Sequence, residues 1–329
     1  MASTIIDSVE IIHSHPVDVP AEWIGQQEPL RQLLACWITV ADADLPLTPR
    51  LIGVPGIGKT TLAITAGRAR GQEVYVMQCT ADTRPEDLLV TPVLSEKGKI
   101  AYHASPLLTA ALRGGVAVLD EGNRMSEKSW ASLAGLFDNR RTAESVVAGI
   151  VIKAHPEFRA VVTMNEDSST FEIPDYIMSR LQPGIEIGFP DRQDELQILS
   201  YNLPFCSEDV LDICVEFLQK AHGLDLPYSV RDGINAIRYT LKKKESFGEP
   251  LGASEKSPRT RVPDAVALFA DSIRQILGEE ALDLDALAAK RRLSGQHIPN
   301  MNLGDFFFPD QEDLNPDADT DADHDAKND

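Results

Sequence analysis

The octapeptide Gly53-Val54-Pro55-Gly56-Ile57-Gly58-Lys59-Thr60 narrows the possible folds of this chain more than any other feature. It fits the pattern G-x-x-x-x-G-K-[ST], in which glycines let successive backbone N–H groups turn inward around a phosphate chain. Lys59 would place a point charge on the β- and γ-phosphates, and the Thr60 hydroxyl would ligate Mg²⁺. Thr61 follows as a further ligand-binding candidate. The context suits that reading: Arg50–Gly53 reads as a strand and Lys59 to Arg68 as a helix.

Around this loop, residues 49–190 alternate short apolar runs with helical patterns. Strands are expected over Glu73–Cys79, Gly115–Asp120, Phe158–Met164 and Gly184–Phe189, with a helix over Ser126–Phe137. Such βα alternation predicts a parallel sheet with right-handed crossovers. Two stretches break the alternation and read as hairpins: Pro92–His103, with Lys97-Gly98 at its tip, and Thr142–Lys153, with Gly149 inside it. Beyond Pro190 the pattern is helical. Helices are expected over Asp191–Tyr201, over Ser207–Ala221 with a Ser N-cap, and over Ser229–Lys244. A Gly-, Pro- and Ser-rich linker is expected over Ser246–Thr260, then a helix over Pro263–Leu277 with Pro at its first position.

Composition excludes several classes. The chain has 329 residues and a net charge of −20, which disfavours broad, sequence-independent adhesion to nucleic acid. Part of that charge is local: Asp310 to Asp329 carries nine acids and one Lys, a net of −8, leaving −12 on residues 1–309. So polar a tail reads as disordered. Its Asp317-x-Asp319-x-Asp321 spacing lacks the Gly and closing Glu of a calcium loop. No apolar run approaches the roughly 20 residues of a membrane span, and the N-terminus lacks a signal-peptide layout. Cys36, Cys79, Cys206 and Cys214 show no C-x-x-C spacing, so neither a zinc site nor a disulfide framework is indicated. A reducing, cytoplasmic setting is the expectation.

A second motif sits sixty residues beyond Thr60. In Val116-Ala117-Val118-Leu119-Asp120-Glu121, an apolar run ends in two acids, which places carboxylates at the C-terminal edge of a buried strand. Asp120 would hold Mg²⁺ through water, and Glu121 would orient and deprotonate an attacking water. A third strand, Val161-Val162-Thr163-Met164-Asn165, would bring the Asn165 amide beside these acids if the two strands are neighbours. Taken alone, an Asn after a strand is more often a turn former. Arg180 and Arg231 are the remaining candidates, although a single arginine is usually solvated or ion-paired on the surface.

This order of motifs resembles the AAA+ ATPases, specifically the MoxR and dynein-related branch, over roughly residues 23–240. Ile24-Gly25-Gln26 looks like that family's adenine-side entry motif. Asp120-Glu121-Gly122-Asn123-Arg124 looks like the branch's D-E-x-N-R motif, and Asn165 matches sensor 1. Arg180 matches the arginine finger, and Ser229-Val230-Arg231 the sensor 2 arginine. The chain departs from the pattern at Gly122, where Ile is usual, at Val230, where Pro is usual, and at Glu166-Asp167 after Asn165. None of these removes a charged group that hydrolysis needs.

The resemblance implies an α/β fold: a P-loop AAA+ core with a parallel sheet flanked by helices, followed by a small all-α lid and a disordered acidic tail. Its segments would be 1–190 for the core, 191–280 for the lid, 281–309 for an extension and 310–329 for the tail. The two hairpins would be the helix-2 and pre-sensor-1 inserts around a central pore. It also implies ATP and Mg²⁺ as ligands and a homo-oligomer, a hexameric ring in which Arg180 acts in trans. The client would be a protein complex, often one with a von Willebrand factor A domain, and neither a membrane nor nucleic acid. Two rival readings remain at this level. One is a GTP- or ATP-driven nucleic-acid motor or restriction subunit of the dynein-related type. The other is a nucleotide-gated assembly scaffold.

Overall fold

A computed structural model describes residues 2–94, 98–165, 172–248 and 265–293. The chain opens with a hairpin, β1 (Ser3–Ile6) and β2 (Val9–Ile12), then forms α1 (Gln27–Cys36), β3 (Arg50–Gly53), α2 (Lys59–Ala69) and β4 (Val74–Gln78). A short turn of helix, α3 (Pro85–Leu88), leads into the hairpin β5 (Val90–Leu94) and β6 (Ile100–Ala104). There follow α4 (Pro106–Arg113), β7 (Val116–Asp120), α5 (Glu127–Leu133), the hairpin β8 (Thr142–Ser145) and β9 (Ile150–Lys153), and β10 (Arg159–Asn165). The short α6 (Asp175–Met178) and β11 (Gly184–Glu186) complete this half. Five helices end the described chain: α7 (Arg192–Asn202), α8 (Glu208–His222), α9 (Val230–Gly248), α10 (Ala265–Leu277) and α11 (Leu284–Leu293).

The central sheet has five strands in the order β11-β3-β10-β7-β4, all parallel. Its middle strands are continuous apolar runs because helices cover both faces. Alternation sorts their side chains: Val116 and Val118 pack into one layer with Leu33, Leu51 and Leu62, while Ala117 and Leu119 pack into the other with Leu107, Leu108 and Trp130. Past Pro190 a third core forms among α7 to α10, around Leu199, Cys214, Leu218, Ile237 and Phe269. No helix among the described residues is long and apolar enough to cross a membrane.

Several expected elements differ in extent. The helix expected over Ser126–Phe137 stops at Leu133, and the strand expected to reach Phe189 ends at Glu186, with one further bond from the Ile187 amide to the Ile52 carbonyl at 2.8 Å. α6 ends at Met178, which leaves Arg180 in the turn that follows. Ser207 occupies an N-cap position, but its side chain makes no capping hydrogen bond, whereas Asp191 accepts one from the Asp194 amide at 2.8 Å. α9 runs on through Gly248 into the expected linker, whose remainder lies outside the described residues. The helix expected from Pro263 is described from Ala265. The acidic tail, Glu166-Asp167 and the tip residue Lys97 also lie outside the described residues.

Both expected hairpins are present, β5–β6 and β8–β9. The first, however, is part of a larger unit. β2 joins β6 in parallel, giving a four-stranded sheet in the order β1-β2-β6-β5. The β1–β2 turn has positive φ at both Asp7 (48°) and Ser8 (71°), the geometry that two-residue hairpins favour.

Candidate functional site

Because β10 pairs with β7 on one side and β3 on the other, three strands deliver their C-terminal ends to one edge. These ends carry the glycine-rich loop, the paired acids and Asn165. The loop leaves β3 at Gly53 and re-enters helix at Lys59. Gly56 and Gly58 both hold positive φ (85° and 103°), which a side chain would resist. Lys59 is buried, and its Nζ donates to the carbonyls of Gly53 (2.7 Å) and Val54 (2.9 Å). Pro55 is the exposed point of the loop, while Ile57 anchors it in the core.

The expected metal pair is in direct contact, with Thr60 Oγ1 donating to Asp120 Oδ1 at 2.6 Å. That carboxylate oxygen also accepts from Thr163 Oγ1 at 2.7 Å. Thr163 in turn accepts the Glu121 backbone N–H at 2.9 Å, so a single hydroxyl ties both acids to the neighbouring strand. Glu121 sits in the left-handed region (φ 56°, ψ 43°), a conformation that costs a non-glycine residue about 1 kcal/mol and needs such support. Its carboxylate is held from three sides. Asn165 Nδ2 donates to Oε1 at 2.9 Å, Gln78 Nε2 donates to Oε2 at 3.1 Å, and Arg124 pairs with Oε2 at 2.8 Å. Asn123 Nδ2 donates to the Asn165 backbone carbonyl at 2.8 Å and fixes the end of β10. Burial, with Asp120 and Glu121 nearby, pushes the Cys79 thiol up to about 12, so that cysteine is no nucleophile here.

A cavity of about 320 Å³ lies beside the loop, between the entry segment, the start of α2 and the C-terminal helices α7 and α9. Ile24, Gly56, Ile57, Gly58, Thr61 and Arg231 line it, together with Trp23, Tyr201, Asn202, Asn235 and Arg238. The start of α9 rests against the loop: a Cβ on Gly56 would lie 2.4 Å from Ser229 Oγ and 3.1 Å from Arg231 Cβ. On the other side, the Gln26 amide donates to Asp194 of α7 at 2.9 Å, and the Gln26 side chain donates to the Phe189 carbonyl at 2.9 Å. The entry segment is thereby tied to the first C-terminal helix.

The structure therefore brings together Thr60, Asp120, Glu121 and Asn165 by direct contacts, with Lys59 at the start of the same helix. It gathers Ile24, Thr61 and Arg231 on the adjoining cavity. Arg180 belongs to neither group; it lines a separate cavity with Asp138 and Arg140. Sequence reasoning missed Gln78, Thr163 and Trp23. A signal existed for Thr163, since a hydroxyl inside the otherwise apolar, buried Val161–Met164 needs a partner. Gln78 carried none, because the pairing of β4 with β7 is a tertiary fact.

These strand-end residues fit a phosphate-bound Mg²⁺. Among the described residues no group of three or more His, Cys, Asp or Glu side chains forms a cage. A hydroxyl and one carboxylate are instead what Mg²⁺ takes when phosphates and water supply its other ligands.

Residues 50–181 match the profile of the AAA domain (dynein-related subfamily). This part of the chain is an AAA+ P-loop ATPase domain. An uncharacterised protein of Staphylococcus haemolyticus is 32% identical over 120 residues, covering 35% of this chain and 46% of that protein. The uncharacterised protein YeaC of Bacillus subtilis is 25% identical over 150 residues, covering 45% of this chain and 44% of its own length. The chain thus spans about half the length of the curated relatives it matches. Among solved structures, the Holliday junction branch migration motor RuvB of Thermotoga maritima superimposes with a TM-score of 0.51 at 14% identity, over 83% of this chain and 77% of RuvB. A point mutant of the same RuvB gives a TM-score of 0.53 at 15% identity, over 84% and 79%. At such identities the likeness concerns the fold alone, and it extends the AAA+ architecture past residue 181 into the C-terminal helices.

Proposed function

We propose that the chain is a Mg²⁺-dependent ATP hydrolase of the MoxR-like kind, working as a ring that remodels or activates a partner protein complex. The observation that carries this reading is the contact between Asn165 and Glu121, one residue past the Thr60–Asp120 pair. A carboxylate that an amide orients, next to a hydroxyl–carboxylate pair, is arranged to hold a water facing a terminal phosphate. In this reading Lys59 leaves the loop carbonyls for the phosphate chain, and Thr60 and Asp120 hold the metal. Mg²⁺, when bound, would neutralise charge developing on the phosphate oxygens. Glu121 takes the proton of the attacking water, while Asn165 keeps its carboxylate aimed. The nucleotide's sugar and ring would occupy the cavity lined by Ile24, Thr61 and Arg231.

The boundary between core (1–190) and lid (191–280) would fall at Pro190. Arg231 on α9 and Gly56 on the loop would then report nucleotide state from one unit to the other. Arg180, which lies outside its own chain's cavity, would complete the neighbour's site in a hexamer. The client would be a protein, with a von Willebrand factor A-domain partner as the first class to examine.

The test is Glu121→Gln. It should bind ATP with an affinity close to that of the unaltered chain, lose turnover, and co-purify with the client it cannot release. Rapid ATP turnover by this variant would reject Glu121 as the base. Parallel turnover with GTP, and with added DNA, separates the protein-remodelling motor from a nucleic-acid motor, for which stimulation by DNA is the expected sign.

A further inference from the structure

A cavity of about 1000 Å³, larger than the one beside the phosphate loop, opens elsewhere on the described chain. Three arginines line it: Arg140 and Arg141 between α5 and β8, and Arg180 after α6. Their commitments differ. Arg141 is occupied structurally, because its Nη2 donates to the carbonyls of Phe158 (2.9 Å) and His155 (3.2 Å). Arg140 and Arg180 share one carboxylate, and Arg180 Nη1 donates in addition to the Tyr176 carbonyl. Arg140 Nη2 lies 2.7 Å from Asp138 Oδ2, and Arg180 Nη2 lies 3.5 Å from the same oxygen. The Arg140 backbone N–H also donates to Asp138 Oδ1 at 2.9 Å. The hydrogen bonds from Arg140 hold the Asp138 carboxyl down at about 2, so it stays ionised at any working pH.

Two guanidiniums on one carboxylate leave positive charge and unused donors. Arg180 Nε is buried without a hydrogen-bond partner among the described residues, so the accessible positive charge is chiefly that of Arg140, whose side chain is 67% exposed. Asp44, the other acid on the rim, is turned toward the backbone N–H groups of Val40 (2.8 Å) and Leu45 (2.9 Å). Planar forks held side by side match phosphate oxygens better than they match a single carboxylate. In a chain of net charge −20, such a surplus is local.

We propose that Arg140 is a second arginine of the intersubunit site, and that Asp138 positions it together with Arg180 for the triphosphate bound by the neighbouring copy. This rests on the reading of Arg180 as acting in trans. The carboxylate serves as a stand-in anion. It orders both side chains before assembly and yields them when a more highly charged polyphosphate arrives, with no bond made or broken.

The experiment uses full-length chains carrying Arg140→Ala, Arg140→Lys, Arg180→Ala or Glu121→Gln, alone and mixed, with ATP binding, oligomer mass and turnover measured on each. Arg140→Ala should assemble and bind ATP normally, while kcat falls about 10–100-fold, less than the several powers of ten that a principal arginine finger can supply. Arg140→Lys should fall between Arg140→Ala and the unaltered chain, since it keeps the charge but not the fork. Mixing Arg140→Ala with Glu121→Gln should restore turnover, because the second chain lends its arginine to the first chain's intact Glu121. The same mixture made with Arg180→Ala serves as the control for the parent reading. Rescue of Arg180→Ala without rescue of Arg140→Ala overturns the role of Arg140 and leaves the trans reading standing. Rescue of neither overturns both. An unchanged kcat in Arg140→Ala, or in Arg140→Lys should the alanine variant not assemble, also overturns the proposal.

Discussion

Glu195→Gln tests the physics of the junction between the sheet and the C-terminal helices. Glu195 lies on α7 with no solvent exposure. Its Oε2 accepts from Gln219 Nε2 at 2.9 Å, and the same amide donates to the Pro190 carbonyl at 3.1 Å, where the chain passes into the helical part. Oε1 has no hydrogen-bond partner among the described residues. Burial therefore pushes this carboxyl from 4.5 up to about 7, with the Gln219 hydrogen bond opposing the shift.

The sign of the effect follows from which state keeps the proton. The unfolded chain ionises near the ordinary value and the folded one only near 7, so the folded state loses stability as pH rises between the two. At about 1.4 kcal/mol per unit, the handicap is about 3 kcal/mol at pH 8 and about 1 kcal/mol at pH 5.5. Gln keeps the acceptor for Gln219 and has no charge to desolvate. Glu195→Gln should therefore be more stable than the unaltered chain at pH 8, with a gain that shrinks by about 2 kcal/mol at pH 5.5. Urea unfolding of both proteins at the two pH values, followed by far-UV circular dichroism, measures the difference. The neighbouring titratable groups are common to both chains. Cys214 is raised above the window by burial, and His222, stacked on Phe189, is lowered by burial. A gain that does not change with pH would refute the reasoning.

Three other outcomes follow from the geometry. Thr163→Val removes the hydroxyl that aims Asp120 and should raise the Mg²⁺ concentration for half-maximal turnover by about 10-fold or more, as losses of supporting hydrogen bonds around metal ligands do; an unchanged Mg²⁺ titration would count against the metal assignment. Gly56→Ala places a Cβ 2.4 Å from Ser229 Oγ at a φ of 85°, so it should push α9 off the loop and weaken ATP binding, read by nucleotide titration, with a strain of about 1 kcal/mol from the backbone alone. Thiol labelling of the native protein should modify Cys206 well before Cys36, Cys79 or Cys214, which are buried; equal rates at all four would show that the cores open readily.

Much of the site was legible in the sequence because its parts are local. The phosphate loop needs its glycines at fixed offsets, and a strand buried on both faces announces itself as an apolar run ending where polarity returns, at Asp120. The N-terminal hairpin was not read from the sequence: its strands are short, and it gains a core only by adding to β6. Nothing within residues 3–12 specifies that partner.

What only the tertiary structure decided was adjacency. Strand order places Asn165 and Gln78 on either side of Glu121, and α9 against Gly56, through pairings between segments tens of residues apart. It also separates Arg180 from its own chain's nucleotide cavity and sets it beside Arg140 on a shared carboxylate. Residue type and spacing determine which chemistry a segment carries, because they act within a few bonds. Which groups meet is fixed by sheet order and helix packing, where burial free energy is gained between distant segments and no local pattern records the partner.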